Sequence, residues 1–227
     1  MNTRISVLCA SACTLLLSAC ASIDSPNASE RLKAVGQTSN PAVLAKAASN
    51  DTDASVRRSA VNKLRDQEYL AKVASEAKDW DIRKKAFNKL DTAHVTTLSQ
   101  TTKDPAIALA ARIKLNQLDW NAAFKPANLS KTGLGNVLGA VALVDSPQPS
   151  SGSVVAACHT FIRQGDSSRI PELKDLLLRF GDKPLAEDYL NCGQTQLREA
   201  GVSWARAHGY NVGSGYGSHR VSWGQNR

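Results

Sequence analysis

Cys158 and His159 stand side by side, and a thiol next to an imidazole is the pairing from which a thiolate nucleophile is made. Adjacent residues on a helix do not face each other, so a base for Cys158 would have to come from elsewhere. Cys158 and Cys192 carry a second chemistry. In an oxidising compartment they can close a disulfide, and in a helical block each is equally a small core residue; both readings stand. The histidines are His94, His159, His208 and His219, and none pairs at metal-ligand spacing. His208 reads as a charge at a helix C-terminus. No Ser-centred elbow or phosphate loop is present. Gly213, Gly215 and Gly217 alternate with other residues but do not follow a strand and open a helix, so they are no dinucleotide fingerprint. No catalytic residue, metal or cofactor is expected. An enzyme or enzyme accessory acting through Cys158 and His159 in a cleft stays as an alternative.

The basic residues are more orderly. Lys63, Lys89 and Lys114 share one slot of a repeating pattern, Arg57 and Arg83 another, and Arg58 and Lys84 a third. Arg57, Lys63, Arg83, Lys89 and Lys114 form the candidate binding face, a strip for an acidic partner or an anionic envelope polymer. The preferred reading is plainer: a solvated helix face whose arginines pair with neighbouring aspartates.

The elements that must position this ladder follow from the repeat itself. Asp53, Asp79 and Asp104 hold equivalent places, followed by Val56, Ile82 and Ile107, then Ala60, Ala86 and Ala111, then Leu64, Leu90 and Leu115. The period is 26 and then 25 residues, in the range of stacked repeats. Four-residue steps put each apolar trio on one helical stripe. Each Asp suits the N-cap, where its carboxylate accepts backbone N–H bonds and complements the helix dipole. Pro105 after Asp104 suits the first helical position. Shorter second helices follow, marked by Leu44, Leu70 and Val95 and by Ala47, Val73 and Leu98. Arg31 and Ala34 belong to a worn copy before the first full one, as expected of a terminal repeat.

Asp53 to Leu64, read as Asp-x-x-Val-Arg-x-x-Ala-x-x-x-Leu, resembles the HEAT-like repeat superfamily. Asp79 to Leu90 repeats it with Ile, and Asp104 to Leu115 departs at Ala108, where the Arg is missing. The period is shorter than that of typical HEAT repeats and is also similar to short variant leucine-rich repeats. The resemblance implies an all-α fold: an α-solenoid of short HEAT-like helical pairs with an irregular or extended C-terminal tail. It implies a protein-binding scaffold more than a chemistry. Bilin-handling members of the superfamily are set aside, because the chain is marked for export and only 5% aromatic.

That export signal is the amino terminus. Arg4 precedes an apolar run, Val7 to Leu17, too short to span a bilayer. Leu17-Ser18-Ala19-Cys20 resembles the bacterial lipobox. The resemblance implies cleavage before Cys20, lipid on its thiol and, with Ala21 rather than Asp following, the outer membrane facing the periplasm. Ordinary signal-peptide cleavage after Ala21 is the other reading; either removes the chain from the cytoplasm. The formal net charge of +8 would invite nucleic acid as a partner, but export and the few aromatics argue against it.

The expected organisation is a signal peptide at 1–19, a short flexible tether at 20–29 and the repeat array at 30–120. A connecting segment follows at 121–153, then a helical block at 154–209 and a Gly/Ser/Arg tail at 210–227. Leu134 to Val144, interrupted by Gly135 and Gly139, reads as a buried helix packed closely at its glycines. Whether the later block continues the solenoid stays open. The expected function is a non-enzymatic, lipid-anchored scaffold. Its partners would be another envelope protein and, through the Cys20 lipid, the membrane.

Overall fold

The computed structural model describes residues 22–123, 129–145, 149–165 and 167–212. The expected signal peptide, Cys20 and the tail from Gly213 to Arg227, with His219 and Trp223, lie outside the described residues. Among the described residues the chain is all helix and turn, with no strand.

The array begins with α1 (Ala28–Gln37), α2 (Pro41–Asn50), α3 (Ala54–Lys63) and α4 (Gln67–Glu76). It runs on through α5 (Trp80–Asn88), α6 (Thr92–Thr101) and α7 (Pro105–Lys114). The expected caps form. Asp53 Oδ1 accepts from the amides of Ser55 and Val56 at 2.8 and 3.2 Å, Asp79 from Asp81 at 3.0 Å, and Asp104 from Ala106 at 2.9 Å. These carboxylates satisfy amides that a helix start otherwise leaves without partners.

Two layers result. The α1, α3 and α5 helices stack in one, α2, α4 and α6 in the other, and α3, α5 and α7 each pack on the helix preceding them. Val56, Ala60, Ile82, Ala86, Ile107 and Ala111 are wholly buried. The alanines let neighbouring helices approach closely, and the larger residues fill the space between layers. Leu64 and Leu90 fall just past their helix ends but are buried all the same.

After the short α8 (Trp120–Ala123), α9 (Lys131–Leu143) packs against α5 and α7. Every residue from Val137 to Val144 is buried, as an apolar run without a polar face requires. Its glycines are contact points: a Cβ at Gly139 would lie 3.0 Å from the Ala106 Cβ and 2.8 Å from Arg169 Nη1. Next come α10 (Ser151–Gln164), a 3₁₀ turn (Ser167–Arg169), α11 (Ile170–Phe180), α12 (Lys183–Asn191) and α13 (Thr195–Ala207). The α11 helix packs on α9 and α13 on α11, while α12 packs on α10. The later block therefore continues the two-layer α-solenoid, and a single hydrophobic core runs from Val35 to Trp204. Gly193 and Gly209, with φ of 82° and 78°, turn the chain after α12 and α13 in the left-handed region.

Over its described part the expected tether is fastened to the body. Ile23 packs on the core, Ser25 is buried, and α1 already starts at Ala28.

Candidate functional site

The repeated aspartates and arginines meet between copies. Arg57 Nη2 lies 2.6 Å from Asp79 Oδ2, and Arg83 Nη2 lies 2.6 Å from Asp104 Oδ2. Each of these carboxylates caps its own helix with one oxygen and holds the arginine of the preceding copy with the other. In the first copy the jobs are divided: Asp53 caps α3, while Asp51 receives Arg31 Nε and Nη2 at 2.9 Å each. The hydrogen bond from Arg31 pulls the Asp51 carboxyl below its ordinary range. At Asp104 burial acts upward, but the Arg83 hydrogen bond and charge outweigh it and leave the carboxyl lowered. Arg57 also donates to the carbonyls of Asp51 and Thr52 at 2.8 and 3.1 Å, so one guanidinium fastens the loop before its own helix as well.

The lysine slot has a different partner. Lys63 donates to the Val35 carbonyl at 3.2 Å and to the Gly36 carbonyl. Lys89 reaches Val61 and Asn62 at 2.7 and 2.9 Å, and Leu64 as well. Lys114 reaches Phe87, Asn88 and Leu90 at 3.1, 3.4 and 3.3 Å. Each ammonium closes the C-terminal end of the equivalent helix one copy earlier, where carbonyls lack amide donors and the helix dipole is negative. Burial lowers the pKa of both Lys89 and Lys114. Arg179, on α11, repeats the device on α9, donating to the carbonyls of Val141, Ala142 and Val144 at 3.3, 3.0 and 3.0 Å. The five residues of the candidate binding face thus all spend hydrogen bonds on the fold. Lys84, from the third slot, is engaged too, with Asp175 at 2.9 Å and Asp145 at 3.5 Å.

One cluster of polar groups outside these pairings lies on the second helices. Lys46 and Lys72 are one period apart, both exposed, and among the described residues neither has an ion-pair partner. With Tyr69, Ser49, Asn50 and Glu76 they border a groove of about 430 Å³ between α2 and α4, lined also by the exposed Ala42 and the buried Ala45 and Val73. Alanines on the α2 side leave the depression. In the next copy Thr97 stands where the lysine would be and His94 where Tyr69 would be, so this chemistry is confined to the first two copies. Two ammonium groups, a carboxylate, a phenol and an amide over an apolar floor can hold an extended polar segment. They have no arrangement for bond-breaking chemistry.

The C-terminal chemistry disposes itself differently. Cys158 and Cys192 are free and buried, so the disulfide that the sequence left open is not formed in this structure. Both pack around Tyr189: the Cys192 thiol donates to the Tyr189 carbonyl at 3.2 Å, and the Tyr189 hydroxyl donates to the Leu173 carbonyl at 2.8 Å. Burial pushes the Cys158 thiol up to about 12, against a weaker downward pull from Tyr189. At neutral pH it is a thiol, the opposite of what a nucleophile needs. His159 turns away from it and meets Asp188 on α12, Nδ1 to Oδ2, at 2.5 Å.

One buried polar cluster had no signal in the sequence. Arg169 Nη1 donates to Glu172 Oε1 and Nη2 to Asn136 Oδ1, both at 3.1 Å, in the space that Gly139 leaves beside α9. Glu172 is 4% exposed, and its Oε2 has no hydrogen-bond partner. Burial raises its pKa against the opposing pull of a backbone hydrogen bond and of Arg169. Among the described residues no group of three or more His, Cys, Asp or Glu could hold a metal ion, and no helix is long and apolar enough to cross a membrane.

No family model matches the chain, and neither a curated protein nor a solved structure matches it.

Proposed function

We propose that this chain is a non-enzymatic, lipid-anchored envelope protein whose helical-repeat surface binds another envelope protein. We read its copies as HEAT-like, Cys20 as the lipid attachment point and the outer membrane, on its periplasmic side, as its location. The observation that carries the binding reading is the α2–α4 groove. It joins Lys46 and Lys72, which have no ion-pair partner among the described residues, to Tyr69 and Glu76, whereas Arg31, Arg57 and Arg83 are held by aspartates and Lys63, Lys89 and Lys114 by helix-end carbonyls. A rigid groove loses little entropy on binding, and one with unspent donors and acceptors can pair a partner's polar groups as it excludes water. The buried, protonated Cys158 supports the non-enzymatic side of the reading.

Affinity capture from envelope extract, with the body from Ser22 onward as bait, tests it. The expected result is a specific envelope protein that is lost when both lysines are reversed, Lys46→Glu with Lys72→Glu. Capture unaffected by that pair of changes contradicts the groove. Insensitivity of processing to globomycin, or no acyl label on Cys20, contradicts the anchor.

A further inference from the structure

We infer that the first repeat is seated at the lipid headgroup layer, so that the α2–α4 groove opens at the membrane surface rather than at the end of a long tether. The inference rests on the reading of Cys20 as the lipidated residue.

The lead-in segment is built in register with the repeat. Arg31 Nη1 donates to the carbonyls of Ser25 and Pro26 at 2.9 and 3.1 Å. One period later Arg57 Nη1 makes the same two bonds to Asp51 and Thr52. Asn27 likewise caps α1 where Asp53 caps α3. Ser25 Oγ donates to Glu30 Oε2 at 2.6 Å and accepts from the Asn27 amide at 3.1 Å. Ser25 and Pro26 therefore take the place that Asp51 and Thr52 hold in the α2–α3 loop one period later, and Ile23 is already packed on the core. Only three peptide units separate Cys20 from Ile23, a reach of at most about 11 Å.

The place where this short leash joins the body is also informative. Ile23 and Asp24 border a hollow of about 340 Å³ with Val43, Lys46, Ala47 and Asn50 of α2. Lys46 and Asn50 border the partner groove as well. A single ridge of α2 thus separates the anchored end from the groove, and lipid on Cys20 brings both to the bilayer surface. The local charges are mixed, Lys46 and Lys72 against Asp24 and Glu76, which suits the phosphate and ammonium of zwitterionic phospholipid headgroups. The protein that fills the groove must then itself reach the membrane surface.

The test uses the processed lipoprotein in phosphatidylcholine vesicles that carry a nitroxide on a fraction of their headgroups. A fluorophore is placed through Lys46→Cys or, at the far end, Arg198→Cys; Cys158 and Cys192 are buried and stay unlabelled. Strong quenching is expected at position 46, several-fold above position 198, with little change on raising the salt. A flexible Gly/Ser insert of about 20 residues after Ala21, with a reach of about 25 Å, is expected to bring quenching at 46 down to the level at 198. Floating vesicles with equal quenching at the two positions, or no effect of the insert, overturn the seating alone. Protein that does not float with the vesicles overturns the anchor and the seating with it.

Discussion

Replacing Lys89 with Met removes the ammonium and keeps most of the stem, so it isolates what the lysine slot contributes. Lys89 Nζ serves three carbonyls at the end of α3: Val61, Asn62 and Leu64. A hydrogen bond with one charged partner contributes about 1.5–3 kcal/mol, and a buried carbonyl left without a donor costs about 1–3 kcal/mol. The full sum is not reached. Asn62 is exposed, so water takes over its carbonyl, and the desolvation that lowers the Lys89 pKa is relieved when the charge goes. A net loss of about 2–3 kcal/mol remains. Lys63→Met loses donors only to Val35 and Gly36, the latter exposed, and is expected to cost about half as much. Urea unfolding of both variants reads the difference as a shift in midpoint at constant slope. A Lys89→Met protein within about 0.5 kcal/mol of the parent, the range of ordinary surface changes, would refute the reasoning. It would refute it more strongly if the same variant lost a captured partner, for then the slot would face outward.

Three further outcomes follow from the interior. Gly139→Ala places a Cβ against Ala106 and the Arg169 guanidinium and is expected to destabilise by about 1–3 kcal/mol by urea unfolding, whereas Gly152→Ala, with nothing within 4 Å, is expected to be neutral or stabilising. Glu172 has its folded pKa raised above the ordinary 4.5, so its contribution is fully present below that value and lost as pH rises through the folded value. Stability is therefore expected to rise as pH falls through the folded Glu172 value toward 4.5, while Asp51, Asp91 and Asp104, held below 3.8, weaken the fold only in more acid solution; Glu172→Gln is expected to remove that rise. Cys158 and Cys192 are expected to resist iodoacetamide in the folded protein and to react once it is unfolded, which mass spectrometry of the alkylated chain reads directly.

The parts of this fold that show in the sequence are those whose partners are side chains at fixed spacing. Asp79 and Asp104 recur one period apart, and so do the arginines that reach them; the caps and the inter-copy pairs were legible from type and register alone. The lysine slot was legible as a ladder but not as a clamp, because its acceptors are backbone carbonyls and any residue supplies one. Arg179 does the same work on α9, yet the break in period between Asp119 and Ser150 removes the register that would have linked it to Lys114. Lys46 and Lys72 are visibly one period apart. That they border a groove depends on the small α2 alanines and on how far α4 stands from α2, which spacing does not encode. Glu172 lies deepest in tertiary structure: its burial needs Asn136 and Gly139 of α9 brought against Arg169, and none of these shares a pattern. At the amino terminus composition and register point in different directions. Ser-Pro-Asn looks like a linker by composition, but Ser25 and Asn27 occupy the positions of Asp51 and Asp53, and register outweighs composition there.

Site-specific photo-crosslinking in living cells tests the central claim, that the α2–α4 face meets a partner protein, most directly. A photoreactive residue is placed at Lys46, Tyr69 or Lys72 and, on the first-helix layer, at Arg58 or Lys85. The account predicts a discrete protein adduct from the groove positions and none from the other two. An adduct from Arg58 or Lys85 with none from the groove would contradict it.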